Sequence, residues 1–369
     1  MTKNEFNKIL FLLIYWVFAA VFYVFFEMAI EGYSASVYNI YKLNYEFNFI
    51  RVLIIAVSVV LVGGSVLASF EVLYFNKFFR KVPFGKVLIF KSLFYFISIF
   101  FLTSLGTYIS LIFILGKSPF HIDVFERYLL YLNSPKVWAI ITYWSFIVIS
   151  SLFVLAISEK LGQGILINYL LGKYHSPKEE NRIFMFLDLI SSTKYAEILG
   201  HKKYSMLIQD CYSDLTDVVI NCNAQIYQYV GDEVVLTWES NKGIKNNNCL
   251  NAFFNFEHTL KNKKEYYNTR YGVLPNFKAG LNYGMVTVAE VGVMKKELAY
   301  HGDAINTAAR IRSHCNLLKK KILISAELLS MLTDIDEDYS VESVGICDLK
   351  GRQQKVGVFS VEKKISNKY

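Results

Sequence analysis

Apolar and polar positions follow two different patterns along the chain. The first half contains four long apolar runs, at residues 9–30, 52–70, 92–114 and 138–157. Each run is close to the roughly 20 apolar residues that cross a bilayer as a helix. We therefore predict a membrane domain of four transmembrane helices over residues 1–157.

The second half alternates between the period of strands and the period of helices. Strands are predicted at residues 183–187, as a hairpin within 224–238, as two strands within 276–292 that meet at Tyr283-Gly284, and at 298–301, 321–325 and within 340–361. Helices are predicted from the residues after Asp188 to 221, with a break at Gly200, and at 247–267, 304–315 and 326–332. This order predicts an α+β domain over residues 182–369, whose roughly 190 residues suffice for one core.

The segment between the two domains, residues 158–181, is predicted to be a juxtamembrane linker. Its apolar middle, residues 165–171, predicts a short helix, while Gly162, Gly164 and Gly172 interrupt the pattern and Pro177 ends it. Such a helix either carries a change in the membrane domain to the soluble domain or serves as a passive spacer. The pattern favours neither.

Composition indicates a membrane protein whose soluble part lies in a reducing compartment. The chain of 369 residues is 54% hydrophobic and 19% charged, with a mean hydropathy of +0.31, which is too apolar for a wholly soluble protein. All 5 cysteines lie in the second half without C-x-x-C spacing, which argues against disulfides and a zinc site. Basic residues beside the apolar runs explain much of the net charge of +8, and no nucleic-acid motif is present.

The basic residues also predict orientation. The segment between the second and third runs carries Lys77, Arg80, Lys81, Lys86 and Lys91 without an acidic residue. Because cytoplasmic loops are enriched in Lys and Arg, we expect this loop, both termini and the soluble domain to be cytoplasmic, in the plasma (cell inner) membrane.

Two acidic residues, Glu27 and Glu71, lie near the ends of apolar runs. Ionisable groups there reach the interface at modest cost, so we interpret both as anchors or helix–helix contacts. Because no interrupted pair of helices indicates a transport repeat, we interpret the bundle as an anchor or a sensor.

The first candidate for chemistry is Asp188, at the end of the buried run 183–187. Ser191, Ser192 and Thr193 follow it and are helix-capping residue types. Backbone N–H groups at a helix start should therefore lie beside the carboxylate, where an anionic phosphate can bind.

A second acid, Asp232, follows Gly231 at the tip of the predicted hairpin. The two acids would then stand at the ends of adjacent strands. Two carboxylates so placed repel each other unless a cation lies between them, so the pair predicts a divalent metal ion.

Five segments, in order, resemble motifs of the class III nucleotidyl cyclases. FLDLISST is similar to F-x-D-[IL]-x-x-x-[ST], YVGDEV to the G-D hairpin, GLNYGMVTVAEVG to G-[IL]-x-x-G-x-V, YHGDAINTAARI to G-D-x-[IV]-N-x-[AT]-[AS]-R and DLKG to the closing [VL]-K-G. The resemblance covers about residues 182–361 and leaves out the membrane half. It implies a ferredoxin-like α+β cyclase catalytic domain after the helical bundle.

The resemblance also implies residue roles. Asp188 and Asp232, with the backbone carbonyl of Leu189, would hold two Mg²⁺ or Mn²⁺ ions per active site for attack on the α-phosphate of a nucleoside triphosphate. Asn306 would orient the ribose, and Arg310 would stabilise charge on the α-phosphate.

The remaining roles concern the phosphates and the assembly. Lys350 would pair with the terminal phosphates. Because family members draw the metal acids and the Asn/Arg helix of one site from different subunits, and this chain carries both sets, the resemblance implies a homodimer.

The two base-reading positions depart from the family pattern. ATP-using members place Lys and then Asp or Thr there, and GTP-using members place Glu and Cys, whereas this chain has Gln228 and Ala299. A glutamine amide both donates and accepts hydrogen bonds, and alanine does neither. We expect ATP from the general habit of the family, while GTP and a pyrimidine nucleotide stay open.

Two other functions compete with this interpretation. A membrane receptor with an idle cyclase-like dimerisation domain would lack a metal acid or the Asn/Arg pair, and all four residues are present. A diguanylate cyclase would need a second glycine where Val230 stands and would leave Asn306 and Arg310 unexplained.

Overall fold

The computed structural model describes residues 3–40, 49–75, 78–79, 82–162, 165–347 and 355–364. The chain divides into two compact units, Met1–Lys160 and Leu161–Tyr369. The predicted linker, residues 158–181, thus falls largely at the start of the second unit. The first strand of that unit begins at Lys178, before the start of the soluble domain predicted at 182.

Within the described residues, four helical stretches are long and apolar enough to cross a membrane, as the sequence predicts. They are Glu5–Ala29, Leu53–Phe75, Gly85–Ile109 and Pro135–Leu161. The elements are α1 (Lys3–Ile40), α2 (Phe49–Val59), α3 (Ser65–Phe70), α4 (Phe84–Leu115), α5 (Ile122–Leu132) and α6 (Pro135–Leu161). Two π-helical turns, Val60–Gly64 and Glu71–Phe75, complete the second span. The apolar pattern does not predict α5, which is too short to span a membrane.

A buried polar cluster joins the second and third spans. Glu71 is 1% exposed, forms an ion pair with Lys91 and accepts a hydrogen bond from the Tyr95 hydroxyl at 2.8 Å. Glu71 is therefore a helix–helix contact. The sequence pattern places Lys91 among the loop charges, but α4 already begins at Phe84. Lys91 therefore lies inside the helix, where its ammonium group contacts the Glu71 carboxylate.

Polar contacts also join the first and fourth spans. The Trp16 indole donates to the Ser151 hydroxyl at 3.0 Å. Lys136 forms an ion pair with Glu27 at 2.7 Å, so Glu27 is a helix–helix contact as well. A shared apolar cluster, which includes Leu12, packs the spans together.

The second unit is a mixed sheet with helices on both faces. After the short helix α7 (Ile165–Leu170), the strands are β1 (Lys178–Leu189), β2 (Gln225–Val230), β3 (Glu233–Glu239), β4 (Phe277–Val291), β5 (Glu297–His301), β6 (Ile322–Ser325), β7 (Tyr339–Cys347) and β8 (Val356–Lys363). The helices are α8 (Ser192–Asn221), α9 (Ser240–Ile244), α10 (Asn248–Asn262), α11 (Lys264–Tyr271), α12 (Asp303–Leu317), α13 (Ala326–Leu329) and α14 (Ile335–Asp338). The strand order is β2-β3-β1-β4-β6-β8-β7, with β5 paired to β4. The predicted α+β fold is confirmed.

The central strand β1 is covered on both faces, which explains its unbroken apolar run. Ile183, Met185 and Leu187 point to the core under α8 and α10. Phe184 points to the opposite face, in the smaller core beside α12. Since successive side chains of a strand alternate between faces, Asp188 lies on the α12 face.

The prediction of two strands around Tyr283-Gly284 is wrong, because β4 is one continuous strand of 15 residues. Its glycines mark close helix packing rather than a turn. A Cβ atom on Gly284 would lie 2.8 Å from the Ala304 Cβ, and one on Gly280 would lie 2.1 Å from the backbone nitrogen of Arg312. Both glycines thus let α12 lie directly on β4.

Most other elements follow the sequence pattern. The hairpin β2–β3 turns at Gly231, and α8 breaks at Gly200, whose φ is 71°. The predicted helix 247–267 is instead split into α10 and α11. The predicted helix 326–332 shortens to α13, because the backbone leaves the helix after one turn.

Candidate active site

The ends of β1 and of the β2–β3 hairpin meet. Asp188 pairs in register with Glu233, the first residue of β3. The Leu189 amide donates to the Asp232 carbonyl oxygen at 3.4 Å. Asp188, which is 9% exposed, and Asp232 therefore occupy neighbouring strand ends, as the sequence pattern predicts.

Two basic side chains contact Asp188. Its Oδ2 accepts a hydrogen bond from Arg312 Nη1 at 3.1 Å and lies 3.2 Å from Lys278 Nζ. Arg312 also forms an ion pair with Glu233 at 2.5 Å. The sequence pattern predicts none of Arg312, Lys278 and Glu233 at this site. The sequence does offer one signal, because Lys278 is a charged residue in the buried first part of β4.

The neighbourhood of the two acids is electrostatically negative. Burial raises the pKa of Glu233, Arg312 opposes this rise, and the charges of Asp188 and Asp232 add to it. Burial also raises the pKa of Tyr204, with Asp232 contributing. Three carboxylates at two strand ends would repel one another, so the basic partners stabilise the cluster.

The hairpin tip that carries Asp232 is held from α8. The Tyr212 hydroxyl donates to the Gly231 carbonyl oxygen at 3.1 Å, and its ring lies 4.6 Å from that of Tyr229. Gly231 has a φ of +63°, a conformation that glycine adopts without strain. The turn thus fixes the backbone on both sides of Asp232.

The capping prediction after Asp188 needs correction. The helix begins at Ser192, but the residue before it, Ser191, has a left-handed backbone and makes no capping hydrogen bond with its side chain. A side-chain N-cap requires an extended backbone at that position. Ser192 is half-buried and Thr193 is exposed at the first turn.

The donor set suits a hard divalent cation. Within the described ranges, no three His, Cys, Asp or Glu side chains gather as a complete metal site. Asp188 and Asp232, with the Leu189 carbonyl oxygen beside them, offer oxygen donors only, which Mg²⁺ and Mn²⁺ prefer. Magnesium is usually held by one or two carboxylates plus substrate phosphates, so this small set fits it.

Helix α12 carries Asn306 and Arg310 four residues apart and therefore on one face. Asn306 is exposed, whereas Arg310 has a buried Nη1 that lacks a hydrogen-bond partner among the described residues. Arg312 lies about 200° further around the helix and contacts Asp188 of the same chain. Asn306 and Arg310 therefore face away from the chain's own acids.

The two positions predicted to read the base lie on strands that are not neighbours in the sheet. Gln228 is exposed on β2, and Ala299 is half-buried on β5. The residues next to them approach each other, because the rings of Tyr227 and Tyr300 lie 4.8 Å apart. Lys350 lies outside the described residues, so its predicted role stays a prediction.

The fold resembles that of a known cyclase. A solved structure of a bacterial light-regulated adenylyl cyclase superposes with a TM-score of 0.52 at 18% identity, covering 62% of this chain and 66% of that one. Residues 174–363 match the model of the adenylate and guanylate cyclase catalytic domain. The chain belongs to this family, and its resemblance to class III cyclases is confirmed.

Two curated relatives bear the names of adenylate cyclases. The chain is 33% identical over 210 residues to adenylate cyclase 2 of Rhizobium meliloti (strain 1021), which covers 57% of this chain and 58% of the relative. It is 24% identical over 195 residues to the beta subunit of a photoactivated adenylate cyclase of Euglena longa, which covers 52% of this chain and 22% of the relative. The chain thus spans less than two thirds of the length of either relative.

Proposed function

We propose that the protein is a membrane-anchored adenylate cyclase that converts ATP to 3′,5′-cyclic AMP and pyrophosphate. One observation carries the proposal most directly. Asp188 and Asp232 stand at adjacent strand ends, while Asn306 and Arg310 lie on another side of α12, where a buried nitrogen of Arg310 has no hydrogen-bond partner among the described residues. These are the two halves of a nucleotide cyclase site.

In the proposed reaction the ribose 3′-oxygen attacks the α-phosphorus of the same nucleotide, and pyrophosphate leaves with the electrons of the broken bond. Asp188, Asp232 and the Leu189 carbonyl would hold the two Mg²⁺ or Mn²⁺ ions. When bound, these ions supply positive charge at the 3′-oxygen and along the triphosphate. The proton of the 3′-hydroxyl passes to solvent.

The chain's other residues orient the substrate. The Asn306 amide hydrogen-bonds the ribose and sets the angle of the 3′-oxygen. The guanidinium of Arg310 donates to the α-phosphate, where negative charge grows in the transition state. Ser192 and Thr193 at the start of α8 bind phosphate oxygens, and Lys350 pairs with the terminal phosphates.

The active form is a homodimer. Because Arg310 and Asn306 face away from Asp188 of their own chain, a second copy must supply them. Two equivalent sites then form at one interface. A separated protomer lacks a complete site and should be inactive.

The names of the two relatives favour ATP as the substrate. Gln228 can present either its donor or its acceptor to a base, so GTP or a pyrimidine nucleotide is the alternative. The four candidate spans would anchor the enzyme in the plasma (cell inner) membrane, and the positive-inside rule favours a cytoplasmic catalytic domain.

The test offers purified membranes equal concentrations of ATP, GTP, CTP and UTP with Mn²⁺ and identifies the products by HPLC. We expect cyclic AMP as the main product. Asp232→Ala should abolish turnover while the protein stays folded and inserted. Absence of any cyclic product from the wild type would support the idle receptor, and cyclic di-GMP would support the diguanylate cyclase.

A further inference from the structure

Strand β1 contains a buried cation, Arg182, that the proposed reaction does not use. Its exposure is 1%, and it lies on the α12 face of the sheet with Phe184. An unpaired charge at such a position would cost several kcal/mol, so its partners define its role.

Every nitrogen of the Arg182 guanidinium group has a partner. Nε and Nη2 donate to Glu180 Oε2 at 3.0 and 2.7 Å, Nη1 donates to Gln225 Oε1 at 2.9 Å, and Nη2 also donates to the Tyr174 hydroxyl at 3.3 Å. The guanidinium carbon lies 5.4 Å from the centre of the Tyr300 ring, within cation–π distance.

Two of these partners, Gln225 and Tyr300, come from strands that are not hydrogen-bonded to each other. Gln225 belongs to β2, and Tyr300 belongs to β5, and β3, β1 and β4 separate the two strands in the sheet. The direct contacts between β2 and β5 are therefore made by side chains on the α12 face, through Arg182 and through the rings of Tyr227 and Tyr300. Arg182 bonds one strand and stacks on the other.

The same two strands carry the base-reading positions. Gln228 lies three residues after Gln225 on β2, and Ala299 directly precedes Tyr300 on β5. A bulge between Ile226 and Gln228 shifts the register of β2, and bulges re-aim the side chains beside them. A change at Arg182 would thus move both positions.

The juxtamembrane segment reaches the same group. Tyr174 is 4% exposed, donates from its hydroxyl to Glu180 at 3.0 Å, and accepts from the Glu290 amide of β4 through its carbonyl oxygen at 3.1 Å. Arg182 is therefore bonded at once to this segment and to β2, while it stacks on β5.

We propose that Arg182 is a positioning residue that holds β2 and β5 at the spacing that the nucleobase requires, with Tyr174 fixing its orientation. This inference rests on the proposed function. Arg182 touches neither metal ligand, so it should govern binding of the base rather than the chemical step.

The first test is Arg182→Lys in the full-length protein. Lysine keeps the charge but lacks the planar fork that serves three partners at once. We expect the Kd for a fluorescent N-methylanthraniloyl-ATP and the KM for ATP to rise about tenfold, with kcat changing less than about threefold. The Mn²⁺ concentration for half-maximal activity should not change.

Trp238→Phe is the matched control for lost stability. It removes one buried hydrogen bond, from the Trp238 indole to the Cys222 carbonyl at 2.9 Å, on the opposite face of the sheet. It should lower the Tm and leave the KM unchanged. If Arg182→Lys behaves in the same way, the inference is wrong.

Tyr174→Phe keeps the proposal testable if Arg182→Lys fails to fold. It removes one hydroxyl and leaves the pair of Arg182 and Glu180 intact, and we expect the Kd and the KM to rise about threefold. Unchanged values of Kd and KM would overturn the inference.

The two proposals can fail separately. A wild type that binds the fluorescent nucleotide but forms no cyclic product would refute the proposed function alone, and the Kd values of the variants would still decide the role of Arg182.

Discussion

Asp188 shows how a single carboxylate is kept in place at a crowded strand end. Its side chain is nearly buried beside two other acids, yet Arg312 and Lys278 both contact the same oxygen, Oδ2. The two cations come from a helix and from the neighbouring strand, so the position of Asp188 depends on the packing of both elements. In its proposed role as a metal ligand, a side chain fixed in this way would lose little entropy on binding.

Glu180 is the residue whose titration should affect stability. Burial favours its neutral form, but hydrogen bonds from Arg182, Lys173 and Tyr174 favour the carboxylate, and the pKa falls below the ordinary 4.5. A lowered pKa in the folded state stabilises the fold above pH 4.5, and this contribution is lost as the pH falls through the folded-state pKa.

Glu180→Gln tests this prediction by hydrogen exchange of peptides that cover β1. At pH 7 we expect faster exchange in the variant, because Arg182 loses its counter-ion. The difference between the variant and the wild type should shrink as the pH falls below 4.5. A difference that stays constant down to the folded-state pKa would contradict the assigned ion pair.

Among the elements, α12 is held in position by a close contact with β4. It lies on β4 where Gly280 and Gly284 leave no side chain between helix and strand, and it carries Asn306 and Arg310 on its other side. The positions of Asn306 and Arg310 therefore depend on how closely the α12 backbone approaches β4.

Gly280→Ala should displace α12 without touching any proposed ligand. The new Cβ would stand 2.1 Å from the Arg312 nitrogen, which is backbone and cannot rotate away. Because small misplacements of catalytic groups are costly, we expect kcat to fall at least about tenfold. Gly357→Ala on β8 is the control, since its Cβ meets Ala326 at an ordinary 3.4 Å. Equal activity of the two variants would show that α12 tolerates the shift.

The sequence predicted the elements whose signals are local. Neighbouring residues determine the spacing of apolar positions and the choice of turn residues. These two signals predict the strand before Asp188, the turn at Gly231 and the four spans. The turn predicted at Gly284 is wrong, because a glycine at a close helix–strand contact cannot be distinguished locally from a glycine in a turn.

The missed parts of the site depend on tertiary structure. Lys278 and Arg312 are 90 and 124 residues from Asp188, and only strand register and helix packing bring them to its carboxylate. The absence of a cap at Ser191 also could not be predicted from residue type, because it follows from the backbone conformation of that residue.

The whole molecule should act as a dimer with two shared sites, and complementation tests this. Co-expression of Asp188→Ala with Asn306→Ala creates mixed dimers with one intact site. With random pairing we expect about a quarter of the wild-type activity.

The matched control for this test is Asp188→Ala with Asp232→Ala. Both changes damage the metal side, so every site of a mixed dimer keeps one lesion and no activity should return. Equal activity from the two combinations, with mixed dimers shown by affinity tags, would exclude the shared site.

The polar contacts within the membrane unit have a mechanical consequence. Glu71 ties the second span to the third, and Trp16 and Lys136 tie the first to the fourth, while apolar packing joins these two pairs. Apolar surfaces slide past each other more easily than a buried ion pair separates. We therefore expect the second and third spans to move as one rigid pair and the first and fourth as another, with relative motion at the apolar contact between the pairs.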